Sequence, residues 1–296
     1  MNSSSSIFFA PAKLNLLLAV TGRRSDGFHD LISLAVPVEW GDTLRVEPGA
    51  GDFSFDCDHP EVPRDETNLV LKAARAFRAA SGWAGGAKFF LEKRIPIGAG
   101  LGGGSSDAAA ALRALNELSG KPLAPAALEK VAAEIGSDCP LFLRNGAVIM
   151  RGRGERLAAL PSRSADRLRG RRVLVFKPSF GISTPWAYGR LASDPGKNYL
   201  PPATAESRLA SWMNDDQRPP ADLLFNSFEA SVFSKHVALP VLLTGLRKRF
   251  GLQPGMTGSG SACLAFLPED APVSEIIAAI HSAWGNLAFA VETRLA

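Results

Sequence analysis

Residues 96–112 read PIGAGLGGGSSDAAAAL, and Gly98, Gly100, Gly102, Gly103 and Gly104 fall within seven positions. Glycine weakens strands and helices alike because it loses the most conformational freedom on ordering. So dense a cluster is compatible with few local structures, all of them bringing something close to bare backbone. The stretch AKFFLEKRIPI before it reads as a strand, and SSDAAAALRALNELSG after it as a helix opened by Ser105, Ser106 or Asp107. A helix N-terminus offers unpaired N–H donors and the positive end of the macrodipole. Glycines let successive N–H groups converge on a phosphate, and serine hydroxyls add donors or a metal ligand. A flexible turn needs one or two glycines, so five favour a phosphate cradle.

The cradle is not a Walker A loop, because Ser105 rather than lysine follows Gly104. Gly98, Gly100 and Gly103 satisfy the dinucleotide pattern G-x-G-x-x-G, with Glu117 near the expected offset, but Glu117 belongs to the helix begun at Ser105 instead of ending a second strand. A dinucleotide-dependent oxidoreductase is therefore the rival reading from another enzyme class. The H-R-D and D-F-G elements of protein kinases are missing from the sequence.

At 296 residues the chain has room for two modest domains, and its 46% hydrophobic and 21% charged content is that of an ordinary globular protein. A net charge of +4 favours anionic ligands without demanding nucleic acid. Cys57, Cys139 and Cys263 are odd in number and widely spaced, which suits a reducing cytoplasm better than a disulfide framework or a zinc site. The opening MNSSSSIFFAPAKLNLLLAV lacks a basic leader and is interrupted by Pro11 and Lys13, against a signal peptide. No apolar run is long enough to span a bilayer. A cytoplasmic protein without membrane partners is expected.

Periodicity predicts a strand over IFFAPAKLNLLLAVTG, a second over LISLAVPVEWGD, and further strands at TLRVEP and FSFDCD. NLVLKAARAFRAASG is a helix with Leu69, Ala73, Ala76, Phe77 and Ala80 on one face and Gly82 as its stop. PAALEKVAAEIG is another helix. Composition shifts near residue 151, where eight arginines face only Glu155 and Asp166 up to residue 172. Without interleaved aromatics that stretch reads as a solvated face or linker, not a nucleic-acid surface. RVLVFKP is a strand, 193–221 a Pro-rich polar connection, and LPVLLTGLRKRFG a helix. SACLAFLP, VSEIIAAIHSAWG and FAVETRLA give strand, helix and strand. The elements interleave without a strict βαβ rhythm, so the fold class is α+β in two parts.

Considered together, APAKLNLLLAVTGRRSDGFHDL, PIGAGLGGGSSDAA and MTGSGSACLAF resemble, in the same order, the three motifs of the GHMP small-molecule kinases. Ala12–Leu16, Arg24–His29, Pro96–Ala109, Gly136–Pro140 and Thr257–Gly260 are most similar in form to the 4-diphosphocytidyl-2-C-methyl-D-erythritol kinase family. Three features depart from its pattern: Phe28 replaces the usual tyrosine, Ser137 and Cys139 flank Asp138, and 195–221 matches nothing in it. The resemblance implies a two-domain GHMP kinase fold. An N-terminal ribosomal-protein-S5-domain-2-like ATP-binding domain (1–155) would precede a ferredoxin-like α+β substrate-binding domain (156–296), with the active site in the cleft between them. It further implies phosphorylation of the 2-hydroxyl of a cytidine diphosphate-linked methylerythritol, with ATP and Mg²⁺, by a monomer or weak homodimer. Homoserine or mevalonate kinase activity is the alternative within the superfamily, and a nucleic-acid-binding module is the non-enzymatic one.

Residue roles follow in the same way. Lys13 lies in an apolar strand, where an unpaired ammonium is costly unless it snorkels from an edge. The resemblance makes it the partner of Asp138, the orienting base. Pro96, Gly98, Gly100, Gly102, Gly103, Gly104, Ser105 and Ser106 would hold the nucleotide's phosphates, the serines doubling as helix caps. Asn68 reads equally as an N-cap and as an adenine-pocket residue. Phe28 and His29 would stack on and read the acceptor's base, with Tyr188 closing the base's other face. Asn15, Thr184, Gly258 and Ser259 would contact the rest of the acceptor or the transferring group. The metal ligands are left open.

Overall fold

A computed structural model describes residues 5–120 and 123–296, apart from the side chain of Lys197; Met1–Ser4 of the leader argument lie outside them. The first half of the chain runs β1 (Ser6–Arg23), β2 (His29–Ala50), β3 (Phe53–Cys57), α1 (Leu69–Ser81), β4 (Gly85–Glu92), α2 (Gly103–Leu118) and α3 (Pro125–Ile135). The second half runs β5 (Val148–Gly152), β6 (Arg156–Ala159), α4 (Ser162–Asp166), β7 (Arg172–Lys177), α5 (Thr184–Ala192), α6 (Pro195–Asn198) and α7 (Pro202–Met213). It ends with β8 (Phe225–Asn226), α8 (Phe228–Lys235), α9 (Ala238–Phe250), β9 (Gly255–Met256), β10 (Cys263–Phe266), α10 (Val273–Trp284) and β11 (Phe289–Arg294). The expected second strand and TLRVEP are one continuous β2. Pro37 does not interrupt it: its carbonyl accepts from Ala296 N–H, and a proline gives up only a donor.

Two compact units divide the chain. One comprises the residues up to Ala12, Trp40–Ile95 and Gly102–Asn145; the other comprises Lys13–Glu39, Pro96–Leu101 and Gly146–Ala296. In the first, Thr43–Ala50 of β2 pairs antiparallel with β4, and β3 adds to β4 in parallel. Phe53, Phe55 and Cys57 are buried while Ser54 and Asp56 between them are exposed, the two-residue period of a half-buried strand. Leu44, Val46, Phe77, Phe89, Leu112 and Leu115 join one apolar cluster beneath α1, α2 and α3. The buried face of α1 is Val70, Leu71, Ala73, Ala74 and Phe77. Ala80 is exposed, so the stripe is rotated from the expected one because α2 covers it from one side. Gly82 ends α1 in the left-handed conformation (φ +66°), as its sequence position suggests.

In the second unit, Leu31–Ala35 of β2 pairs antiparallel with β5, β5 with β6, and β1 lies parallel to β8 at Leu17 and Leu18. A separate sheet has the order β11-β7-β10-β9, all antiparallel. Leu239, Leu243, Leu246, Ile276 and Ile280 of α9 and α10 are buried, and Trp284 packs on Phe176 at 5.8 Å. The arginine-rich stretch is not a linker but carries β5, β6 and α4, while Arg153, Arg156, Arg163, Arg169 and Arg171 are exposed, as on a solvated face. Arg151 makes a two-pronged bond to Glu206 (2.7 and 2.8 Å), and Arg167 lies 4.0 Å over the Trp212 ring. The Pro-rich polar connection 193–221 holds α6 and α7, the latter burying Leu209 and Trp212. Among the described residues no helix is long and apolar enough to cross a membrane.

One buried ionic cluster fixes the lead-in to the glycine loop within the first unit. Lys93 Nζ donates to Asp42 Oδ2 (2.5 Å) and Asp107 Oδ2 (2.7 Å), with all three side chains almost fully buried. Asp42 Oδ1 also accepts from the N–H groups of Arg94 and Ile95. One ammonium offsets one buried carboxylate, and Asp107 Oδ1 has no partner. Burial, reinforced by Asp42 and opposed by Lys93, pushes the Asp107 carboxyl up to about 8. The folded state therefore binds a proton up to about pH 8 that the unfolded chain releases near 3.8, so stability falls as pH rises through that window. Melting curves from pH 5 to 9 should show this fall in the wild type and a flatter profile in Asp107→Asn. Lys93→Met, which leaves a buried carboxylate without its cation, should cost about 3–5 kcal/mol in denaturant unfolding at neutral pH.

Candidate active site

The glycine loop ends where α2 begins. Gly102 caps the helix with φ +75° and no side-chain hydrogen bond. The helix is thus opened by glycine, not by Ser105, Ser106 or Asp107, because only a residue without Cβ enters the left-handed region at no cost. Ser105 and Ser106 lie inside the first turn, and Ser106 N–H already donates to Gly102 O. The N–H groups of the first turn are therefore left without a side-chain acceptor. Ser106 is 0% exposed and its Oγ has no hydrogen-bond partner. A Cβ on Gly103 would lie 3.0 Å from Lys93 Nζ, and one on Gly104 would lie 3.4 Å from the first residue of α1, Leu69.

Asn68, just before Leu69, accepts from Val70 N–H at 2.8 Å and donates to Pro63 O at 2.6 Å. The N-cap role is filled. Asp138 follows the C-terminal Gly136 of α3 and is half-buried. A Cβ on Gly136 would lie 3.3 Å from Cys139 Sγ and 3.9 Å from Ser105 Oγ, so the Ser105 hydroxyl and the Asp138 turn share one neighbourhood. Burial pushes the Cys139 thiol to about 11, against the Ser105 hydrogen bond that favours the thiolate. It remains a protonated, inert side chain at neutral pH. Glu117 lies near the end of α2 and not at a strand end, which removes the dinucleotide reading of Gly98, Gly100 and Gly103.

In the second unit a chain of buried polar groups runs from β1 to the TGSG turn. Lys13 is 6% exposed; its Nζ donates to Asn15 Oδ1 and its backbone N–H to Leu101 O. Asn15 Nδ2 donates to Ser33 Oγ (2.8 Å), which donates on to Leu17 O (2.7 Å). Asn15 N–H donates to Thr257 Oγ1 at 2.7 Å. Lys13 and Asn15 are two residues apart on a strand and so share a face.

The glycine turns themselves are in backbone contact. A Cβ on Gly258 (φ +58°) would stand 2.3 Å from Gly100 O, and one on Gly100 would stand 2.9 Å from Thr257 O. Ala262 N–H donates to Ala99 O, and Asn226 Nδ2 holds the turn through Met256 O and Gly258 O. Thr184, first residue of α5, and Ser259 bond through their hydroxyls at 2.8 Å. Gly98 meets Gly181, and Pro96 is half-buried at the loop's start.

Around the DGFHD turn, Asp26 Oδ1 accepts from Phe28 N–H, and Arg24 binds both Asp26 and Asp30. Phe28 is 53% exposed with the Arg153 guanidinium 4.7 Å over its ring. Tyr188 packs on His29, centroids 4.8 Å apart and tilted by 32°. Burial, with the Arg23 charge, holds the His29 imidazole below its usual pKa, so it is neutral at pH 7. Sequence reasoning missed Ser33, Asn226 and Tyr199, which complete these networks. Each is a single polar residue in an ordinary setting, with no spacing to mark it.

A sequence profile described as the GHMP kinases N terminal domain matches residues 68–146. The chain is 41% identical over 268 residues to a 4-diphosphocytidyl-2-C-methyl-D-erythritol kinase of Synechococcus sp. (strain CC9311), covering 88% of this chain and 86% of that one. Among solved structures, a 4-(cytidine 5'-diphospho)-2C-methyl-D-erythritol kinase matches with TM-score 0.76 and 34% identity, over 98% of this chain and 100% of that one. The mevalonate kinase of Methanococcus jannaschii matches with TM-score 0.74 at 13% identity, over 100% of both chains, and shares the fold.

Gly258→Ala should destabilise the protein by about 2 kcal/mol or more, because both φ and the Gly100 carbonyl oppose a methyl group. Chemical denaturation measures it, and Gly245→Ala on α9, where a Cβ meets nothing within 4 Å, should cost nothing.

Proposed function

Since the chain belongs to the 4-diphosphocytidyl-2-C-methyl-D-erythritol kinase family, we propose that it transfers the γ-phosphoryl group of ATP to the 2-hydroxyl of 4-diphosphocytidyl-2-C-methyl-D-erythritol. The products are the 2-phosphate and ADP. The observation that carries the reading is the glycine-opened N-terminus of α2 with the buried, unpartnered Ser106 hydroxyl in its first turn. An orphan hydroxyl beside bare N–H groups fits a bound polyphosphate, whose oxygens would accept from both.

Phosphoryl transfer passes through a loose transition state, so positioning and charge neutralisation outweigh early proton removal. Gly102, Gly103 and Gly104 cradle the β- and γ-phosphates through their N–H groups, with Pro96, Gly98 and Gly100 shaping the approach. Ser105 and Ser106 supply hydroxyls, and Asn68 borders the adenine. Among the described residues no three His, Cys, Asp or Glu side chains gather as a metal site. Mg²⁺ would be bound mostly by the phosphates and water with one or two protein oxygens. Ser106 Oγ is the oxygen that fits. The ion would neutralise charge on the phosphates.

Asp138 accepts the hydrogen bond of the acceptor's 2-hydroxyl, aims its oxygen at the γ-phosphorus and takes up the proton as the new P–O bond forms. Lys13, held by Asn15, donates to the transferring phosphoryl group. Thr184, Gly258 and Ser259 bind the acceptor's diphosphate and polyol, and Phe28, His29 and Tyr188 its base. The same reading makes the protein a cytoplasmic monomer or weak homodimer.

A coupled ADP-release assay comparing the cytidyl acceptor with mevalonate and homoserine tests the substrate. Turnover should require the cytidyl acceptor, and equal rates with mevalonate or homoserine would move the protein elsewhere in the superfamily. Asp138→Asn should lower kcat by at least about a hundredfold while ATP binding, measured calorimetrically, is retained.

A further inference from the structure

The connection 195–221, which carries none of the family motifs, delivers one side chain to the base-recognition group. Tyr199 follows α6, and its N–H donates to Pro195 O while the next residue, Leu200, donates to Val20 O of β1 at 3.0 Å. Asn198 ties the same turn to α5 through Leu191 O at 3.2 Å. The backbone on both sides of the ring is thus anchored. The Tyr199 hydroxyl lies 3.0 Å from His29 Nε2, and the two rings meet edge to face at 5.8 Å and 71°. Tyr188 covers another side of the imidazole and rests edge-on against Phe228 at 4.9 Å. His29 is therefore gripped by two tyrosines from separate elements, and one of them takes a ring nitrogen.

We propose that Tyr199 is a specificity-determining positioning residue: its hydroxyl holds His29 in one ring orientation and one tautomer, leaving Nδ1 to read the acceptor's pyrimidine. The inference rests on His29 being the base-reading group. A neutral imidazole carries one donor and one acceptor and exchanges them when its proton moves. Cytosine presents an amino donor at C4 and an acceptor at N3, and uracil presents the reverse. A ring free to change tautomer or flip satisfies either base. A phenol hydroxyl is a better donor than acceptor, so its bond to Nε2 favours the tautomer with the proton on Nδ1; that N–H suits cytosine N3 and leaves the N3–H of uracil facing a donor, which is how sites reject near-isosteres.

Tyr199→Phe keeps the ring and removes only the hydroxyl. With ATP saturating, the ratio of kcat/KM for the cytidyl acceptor to that for its uridyl counterpart should fall about tenfold, the loss lying in acceptor KM. Ring ¹⁵N shifts of His29 in the ligand-free protein should report one tautomer in the wild type and a mixture in the variant. A role confined to packing would lower the melting temperature and leave both the ratio and the shifts unchanged, and that result overturns the proposal. If the wild type releases no ADP with the cytidyl acceptor, the substrate reading fails, while the substrate-free nitrogen shifts still decide whether Tyr199 fixes His29.

Discussion

Backbone lying on backbone is the constraint on which the rest of the second unit's site depends. Gly258 approaches the Gly100 carbonyl so closely that a methyl group would sit 2.3 Å from it. That approach excludes water and side chains from between two turns that are 158 residues apart in the chain by their numbers. Directional bonds hold it: Ala262 N–H to Ala99 O, and the Asn226 amide to two carbonyls of the second turn. Turns held this way have little freedom to adjust. Lys13, Asn15 and Thr257 inherit that rigidity through their own hydrogen bonds.

The first unit reaches the same end by charge. Lys93 ties the end of β4 to the first turns of α2 through two buried carboxylates, and Asp42 additionally binds the two backbone N–H groups that follow Lys93. Buried ionic clusters are weak sources of stability, but they penalise every arrangement that breaks them. Placed directly under Gly103, this one fixes where the bare N–H groups of α2 stand. Positioning of that kind is what a reaction with a loose transition state asks of a protein.

Much of the architecture is legible residue by residue. The apolar alternation of Phe53, Phe55 and Cys57 and the stop at Gly82 each announce themselves within a few positions. What misleads is equally local. Arg151, Arg167 and Arg172 look solvated until Glu206, Trp212 and Glu292 arrive from elsewhere in the chain. The serines after the glycines look like helix caps, yet the left-handed Gly102 takes that place and frees them. The 193–221 stretch is polar and Pro-rich, but Pro195 and Pro202 sit at the first positions of α6 and α7, where a missing N–H costs nothing.

By itself the sequence determined the residue types and local conformations: which positions tolerate a positive φ, which faces are apolar, and which motifs occur in which order. Those are properties of near neighbours, set by sterics and periodicity over a few residues. Only the tertiary structure decided the pairings, such as Asn15 with Thr257, 242 positions apart, or His29 with Tyr199, 170 apart. A polar side chain carries no trace of its distant partner, because any hydrogen-bonding group would satisfy it and the fold alone chooses which one comes within reach.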